Sequence, residues 1–135
     1  MKLATVSAQE NSSDQESVLT IQYLEIVTPN VNGVAALYSQ IYGVTFGEAD
    51  PNLGMARTAK LVGGGMIGIR GPLRDDEQAI VRHYVLVEDI VASVSAARMA
   101  GSEIALPETE IEGYGQIAVV IQDGIESGLW QLDAP

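Results

Sequence analysis

The chain alternates between short apolar runs of strand length and longer stretches whose apolar residues recur at helical spacing. Arg82 to Gly101 shows this most plainly. A largely β-branched run through Tyr84, Val85, Leu86 and Val87 gives way at Asp89 to Ile90, Val94 and Ala97, which share one helix face. Asp89 suits the N-cap, because its carboxylate accepts the unpaired N–H groups of the first turn. Gly101 can take the left-handed conformation that closes a helix. The spacing predicts strand, helix and stop.

The same unit occurs earlier. Ile21 to Val27 alternates as a strand, Asn30 can cap a helix, and Val31, Val34, Ala35, Tyr38, Ile41 and Tyr42 form a helical stripe ended by Gly43. Val31, Ala35 and Tyr38 are answered by Ile90, Val94 and Ala97, each 59 positions later. The echo continues after each helix. Val44-Thr45-Phe46 predicts a short strand, as do residues 102 to 106. Ala56 to Val62, Gly63-Gly64-Gly65 and Met66 to Arg70 predict a hairpin, and Gln116 to Ile121, the turn at 122–124 and Glu126 to Leu132 predict its counterpart. Each copy is therefore β-α-β-β-β, a unit that cannot bury its own sheet face alone. The fold class expected is α+β, with two tandem βαβββ modules forming one cupped mixed sheet and the helices outside. The single domain spans residues 18–133, with module one at 20–71, a polar linker at 72–79 and module two at 80–133. Residues 1–17 are Ser-, Gln- and Glu-rich and predict a flexible arm.

Composition narrows the functional classes. The 135 residues carry 18 acids against 7 bases, a formal charge of −11. Nucleic-acid binding needs Lys and Arg to neutralise phosphate, so it is not expected, and an anionic membrane surface is disfavoured for the same reason. No apolar run approaches the roughly 20 residues needed to span a bilayer. The absence of cysteine removes thiolate metal sites and disulfides and fits a cytoplasmic protein. Glu103, Glu108, Glu110 and Glu112 are expected on an exposed loop.

Specific residues add a resemblance. Glu25-Ile26-Val27-Thr28-Pro29-Asn30, Leu37-Tyr38, Ile41-Tyr42-Gly43 and the run from Gly64 to Pro72 resemble the first module of the vicinal-oxygen-chelate superfamily. That group includes glyoxalase I, bleomycin-resistance proteins and extradiol dioxygenases. Tyr84 to Ile90, Gly113-Tyr114-Gly115 and Asp123-Gly124 through Trp130 resemble the second module. The resemblance implies a homodimer and a small-molecule pocket in the cup. In the enzymes of the group a divalent metal is held there by His and Glu from four strands. Those positions fall here on Tyr23, Gly68, Arg82 and Gly128. Guanidinium has no lone pair to offer and glycine has no side chain, so no metal or other cofactor is expected. His83 reaches the third position only by a one-residue slip, and in the paired register it matches Leu24 and faces the helices.

Strand alternation and the repeat together propose a lining of Tyr23, Glu25, Met66, Arg70, Arg82, Tyr84 and Trp130. Tyr and Trp offer flat apolar walls with polar tips. Arg70 and Arg82 on the inner face would make the cup locally positive and suited to a carboxylate or phosphate, unless Glu25 pairs with Arg82 across adjacent strands. The function expected is metal-free binding of a small anionic or aromatic molecule. The alternative is a lyase, isomerase or dioxygenase-type enzyme of the same superfamily, using Glu25 as acid/base or a divalent metal on other ligands. No nucleophile stands out, since there is neither cysteine nor a Gly-x-Ser-x-Gly elbow. The three glycines at 63–65 lie between strands and read as a turn.

Overall fold

A computed structural model describes residues 19–134, and the arm expected over residues 1–17 lies outside them. The chain runs β1 (Ile21–Val27), α1 (Val31–Tyr42), β2 (Ala49–Asp50), a short 3-10 turn (Pro51–Leu53), β3 (Ala56–Lys60) and β4 (Met66–Arg70). It continues with β5 (Ile80–Leu86), α2 (Ile90–Met99), β6 (Glu103–Ile111), β7 (Gly115–Gln122) and β8 (Ile125–Leu132). All eight strands form one mixed sheet ordered β2-β3-β4-β1-β5-β8-β7-β6. The two modules meet at the antiparallel β1–β5 ladder, where Tyr23 pairs with Tyr84 and Glu25 with Arg82. Each first strand then pairs in parallel with the last strand of its own module, placing Glu25 beside Gly68 and Tyr84 beside Gly128.

Local chemistry explains the elements. Asn30 and Asp89 cap the helices through side-chain oxygens that accept from Gly33 and Ala92 N–H, each at 3.1 Å. Gly43 and Gly101 end them with φ of 70° and 92°. Asp123 and Gly124 both have positive φ, as the two-residue turn between β7 and β8 requires. Under α1 lie Ile26, Phe46, Ala59, Ile67 and Ile69, and Ile90 and Val94 of α2 pack on Ala118 of β7. The stripe predicted on α1 is shorter than expected, because Ile41 and Tyr42 are exposed.

Two strand expectations need correction. Val44 to Phe46 does not join the sheet. The Arg57 side chain takes the carbonyls of Phe46 and Gly47 at 3.3 and 3.0 Å, and the ladder begins only at Ala49. The strand after α2 is longer than predicted, running to Ile111 past Pro107, which is tolerated because β6 is an edge strand. Glu103, Glu108 and Glu110 thus stand on that edge and not in a loop, and edge charge discourages pairing with other chains. No described helix is long and apolar enough to cross a membrane.

Candidate functional site

The concave face of the sheet encloses a cavity of about 450 Å³. Period-two alternation builds its floor. Tyr23 and Glu25 come from β1, Arg70 from β4, Arg82 and Tyr84 from β5, and Glu126 and Trp130 from β8. Leu106, Ile117 and Val119 of β6 and β7 form an aliphatic wall. The 3-10 turn, with Asn52 and Leu53, and the loop carrying Leu73, Arg74 and Glu77 border the mouth. The turn is fixed across the cup: Tyr114 O–H donates to Asp50 Oδ2 at 2.5 Å, and Asn52 Nδ2 donates to the Glu112 carbonyl at 3.2 Å.

Five charged side chains cross the floor in one row. Glu25 accepts from Arg70 Nε at 2.9 Å through one oxygen and from Arg82 Nη1 at 2.5 Å through the other. Tyr84 O–H also donates to Glu25, at 3.1 Å. Outward on one side, Arg70 grips Glu77 with two bonds of 2.9 and 2.8 Å. On the other, Arg82 gives Glu126 Oε1 two bonds of 2.9 and 2.7 Å. The order is Glu77–Arg70–Glu25–Arg82–Glu126.

The electrostatics reflect this packing. Burial disfavours the charged form of both arginines, but Glu77 and Glu25 at Arg70, and Glu126 and Glu25 at Arg82, more than offset it and raise both above the ordinary value. Hydrogen bonds from Arg70 bring Glu77 down to about 2 against the cost of its burial, helped by the Leu73 N–H. Burial, and then the Glu25 charge, push the phenols of Tyr23 and Tyr84 well up, so both stay neutral at physiological pH.

Of the seven lining residues expected from sequence, six meet in the cavity: Tyr23, Glu25, Arg70, Arg82, Tyr84 and Trp130. Met66 does not line it. Met66 packs against the aromatic cluster beside its ladder partner Tyr23. The aromatic residues are also less open than flat walls would be. Trp130 packs against Tyr23 and Tyr84 at centroid distances of 5.2 and 5.8 Å, and Trp130, Tyr23 and Tyr84 are only 1%, 3% and 4% exposed. The locally positive cup is corrected too, because three carboxylates absorb the two arginines. Sequence reasoning missed Glu77 and Glu126. Glu126 had a signal, since it shares the alternation of Gly128 and Trp130 on β8. Glu77 sits in the polar linker and had none.

The residues present do not fit a divalent metal. Tyr23 fills the space where a side chain on Gly68 would project, and the Tyr84 ring does the same over Gly128. Glu25 has both oxygens committed to guanidinium groups, so a cation there would face two others. His83 pairs with Leu24, which packs on the helix side of the sheet. Among the described residues no three His, Asp or Glu side chains cluster as metal ligands would.

Solved structures share this architecture. A hypothetical protein from Bacillus halodurans C-125 superposes with a TM-score of 0.68 at 14% identity, over 88% of this chain and 98% of its own. Methylmalonyl-CoA epimerase from Mycobacterium tuberculosis gives 0.67 at 14% identity, over 95% and 96%. A Streptomyces coelicolor methylmalonyl-CoA epimerase variant in complex with 2-nitronate-propionyl-CoA gives 0.64 at 18% identity, over 87% and 100%. The chain has the vicinal-oxygen-chelate fold. No family model and no curated sequence matches it. At these identities the vicinal-oxygen-chelate likeness establishes architecture, and the chemistry of the cup must come from its own side chains.

Proposed function

We propose that the cup binds a small organic molecule without metal. The observation that carries this reading is the 450 Å³ cavity, which sets an aliphatic wall against a row of charged side chains. The ligand's apolar body rests on Leu106, Ile117 and Val119, and its polar group meets the charged row. The Streptomyces protein of the same fold was solved with an organic ligand, 2-nitronate-propionyl-CoA, which supports a binding role for this architecture. Binding is favoured over acid–base catalysis because Glu25 already accepts from Arg70, Arg82 and Tyr84, three of the about four lone-pair directions of a carboxylate.

Native mass spectrometry and elemental analysis of protein purified without chelator test the reading. The expected result is binding of small amphipathic molecules with metal far below one equivalent per chain. Stoichiometric Zn, Ni, Mn or Fe would overturn it.

A further inference from the structure

Three glutamates and three arginines line the cavity, and they are not equally engaged. Arg70 and Arg82 are each held between two carboxylates, and Arg74 is matched by Asp76 at 3.1 Å on its own loop. Arg82 retains N–H groups beyond its bonded ones, but an anion approaching them lies beside both Glu25 and Glu126. Glu126 is different. Its Oε1 takes both bonds from Arg82, while its Oε2 has no partner among the described residues, and the side chain is one-third exposed. The row therefore totals three negative charges against two positive, and one carboxylate oxygen is available at its open end.

Resting on the binding reading above, we infer that the cup selects small amphipathic cations, such as ammonium or amidinium compounds, with Glu126 as the counter-ion. A cation beside Glu126 gains a charge-assisted hydrogen bond and breaks no existing pair. At the charged row an anion must displace a glutamate from an arginine or sit against two carboxylates, and Arg74, 68% exposed beside Asp76, offers it only a solvent-screened contact. The −11 charge of the chain adds long-range attraction for the same sign of ligand.

A matched probe series tests this: 1-naphthylmethylammonium, 1-naphthalenemethanol and 1-naphthoate, titrated by fluorescence at low and high salt. The cation should bind tightest, about tenfold over the anion at low salt, with the gap shrinking as salt rises. E126Q, checked for folding by circular dichroism, should cost the cation about three- to tenfold and leave the alcohol unchanged. If the anion binds best, or if E126Q weakens cation and alcohol alike, charge selection fails while the cup remains a binding site. If none of the three binds, the binding reading fails with it.

Discussion

Asp50 and Tyr114 hydrogen-bond at 2.5 Å although they belong to opposite ends of an eight-stranded sheet. Asp50 closes β2 at one edge, and Tyr114 stands in the turn leaving β6 at the other. Strand twist alone brings such edges toward one another, and the side-chain bond fixes how far the cup closes. Tyr114 also stacks edge-on with Trp130 at 6.2 Å, so the closure is tied to the floor of the cavity. Tyr114→Phe should lower unfolding stability by about 0.5–1.5 kcal/mol and speed ligand exchange. Asp50→Asn in the Phe background should then add little from this bond. Independent losses in a double-mutant cycle measured by urea unfolding would show that the two residues are not coupled.

Glu25 is expected to be the costliest charged residue to remove. Glu25 is the middle member of the row and is 7% exposed, with Arg70 at 6%. Glu25→Ala would leave two guanidinium groups facing each other, each retaining one carboxylate. A loss of about 3–5 kcal/mol is expected in chemical denaturation, as for a buried ion pair that loses one partner. A loss under about 1 kcal/mol would mean that water replaces Glu25 without strain.

The two floor glycines should differ in their tolerance of a methyl group. A Cβ on Gly68 meets the far end of Tyr23, its hydroxyl and Cζ, whereas one on Gly128 meets the stem of the Tyr84 ring at Cγ and Cδ2. A ring tip can swing aside more easily than a stem. Gly128→Ala should therefore destabilise more than Gly68→Ala, within the roughly 1–3 kcal/mol typical of overpacking. Tyr23→Phe should partly rescue Gly68→Ala and not Gly128→Ala. Thermal melts of the three single variants and both double variants decide the order.

Acid should loosen the loop that borders the cavity. Glu77 falls from the ordinary 4.5 to about 2 in the folded protein, chiefly through its bonds from Arg70. A depressed carboxylate binds fewer protons folded than unfolded, so its contribution is fully present above about pH 4.5 and is lost toward pH 2. Glu77→Gln should be less stable at pH 7 and flatter between those limits. Unfolding midpoints across that range test the sign, and parallel curves for the two proteins would remove Glu77 as the cause.

Much of this architecture is legible in the sequence because the signals repeat. Asp89 and Asn30 announce the helices, Asp123-Gly124 announces a hairpin, and the 59-residue echo places β1 against β5. Phe46 misled because it is apolar and comes after a helix stop, yet Arg57 of β3 captures its carbonyl. The inner row was half visible. Glu25, Arg70 and Arg82 emerge from alternation, but Glu77 reaches Arg70 from a loop with no periodicity, and pairing between distant side chains leaves no local trace. Without Glu77 and Glu126, two arginines look like a positive pocket. With them, the balance reverses.

The β1–β5 ladder also sets a limit on the symmetry of the molecule. By the internal repeat, Tyr23 corresponds to Arg82 and Glu25 to Tyr84, so the inward-facing positions of one strand are answered by chemically different residues on the other. In the same register, two copies of the first module would set Glu25 opposite Tyr23 with no arginine to pair it, and two copies of the second would set Arg82 opposite Tyr84 with no Glu25. Either self-pairing leaves charges without their partner at the seam. The halves are complementary and not interchangeable, so a chain cut within residues 72–79 should reassemble as a pair of unlike fragments and not as a dimer of either one.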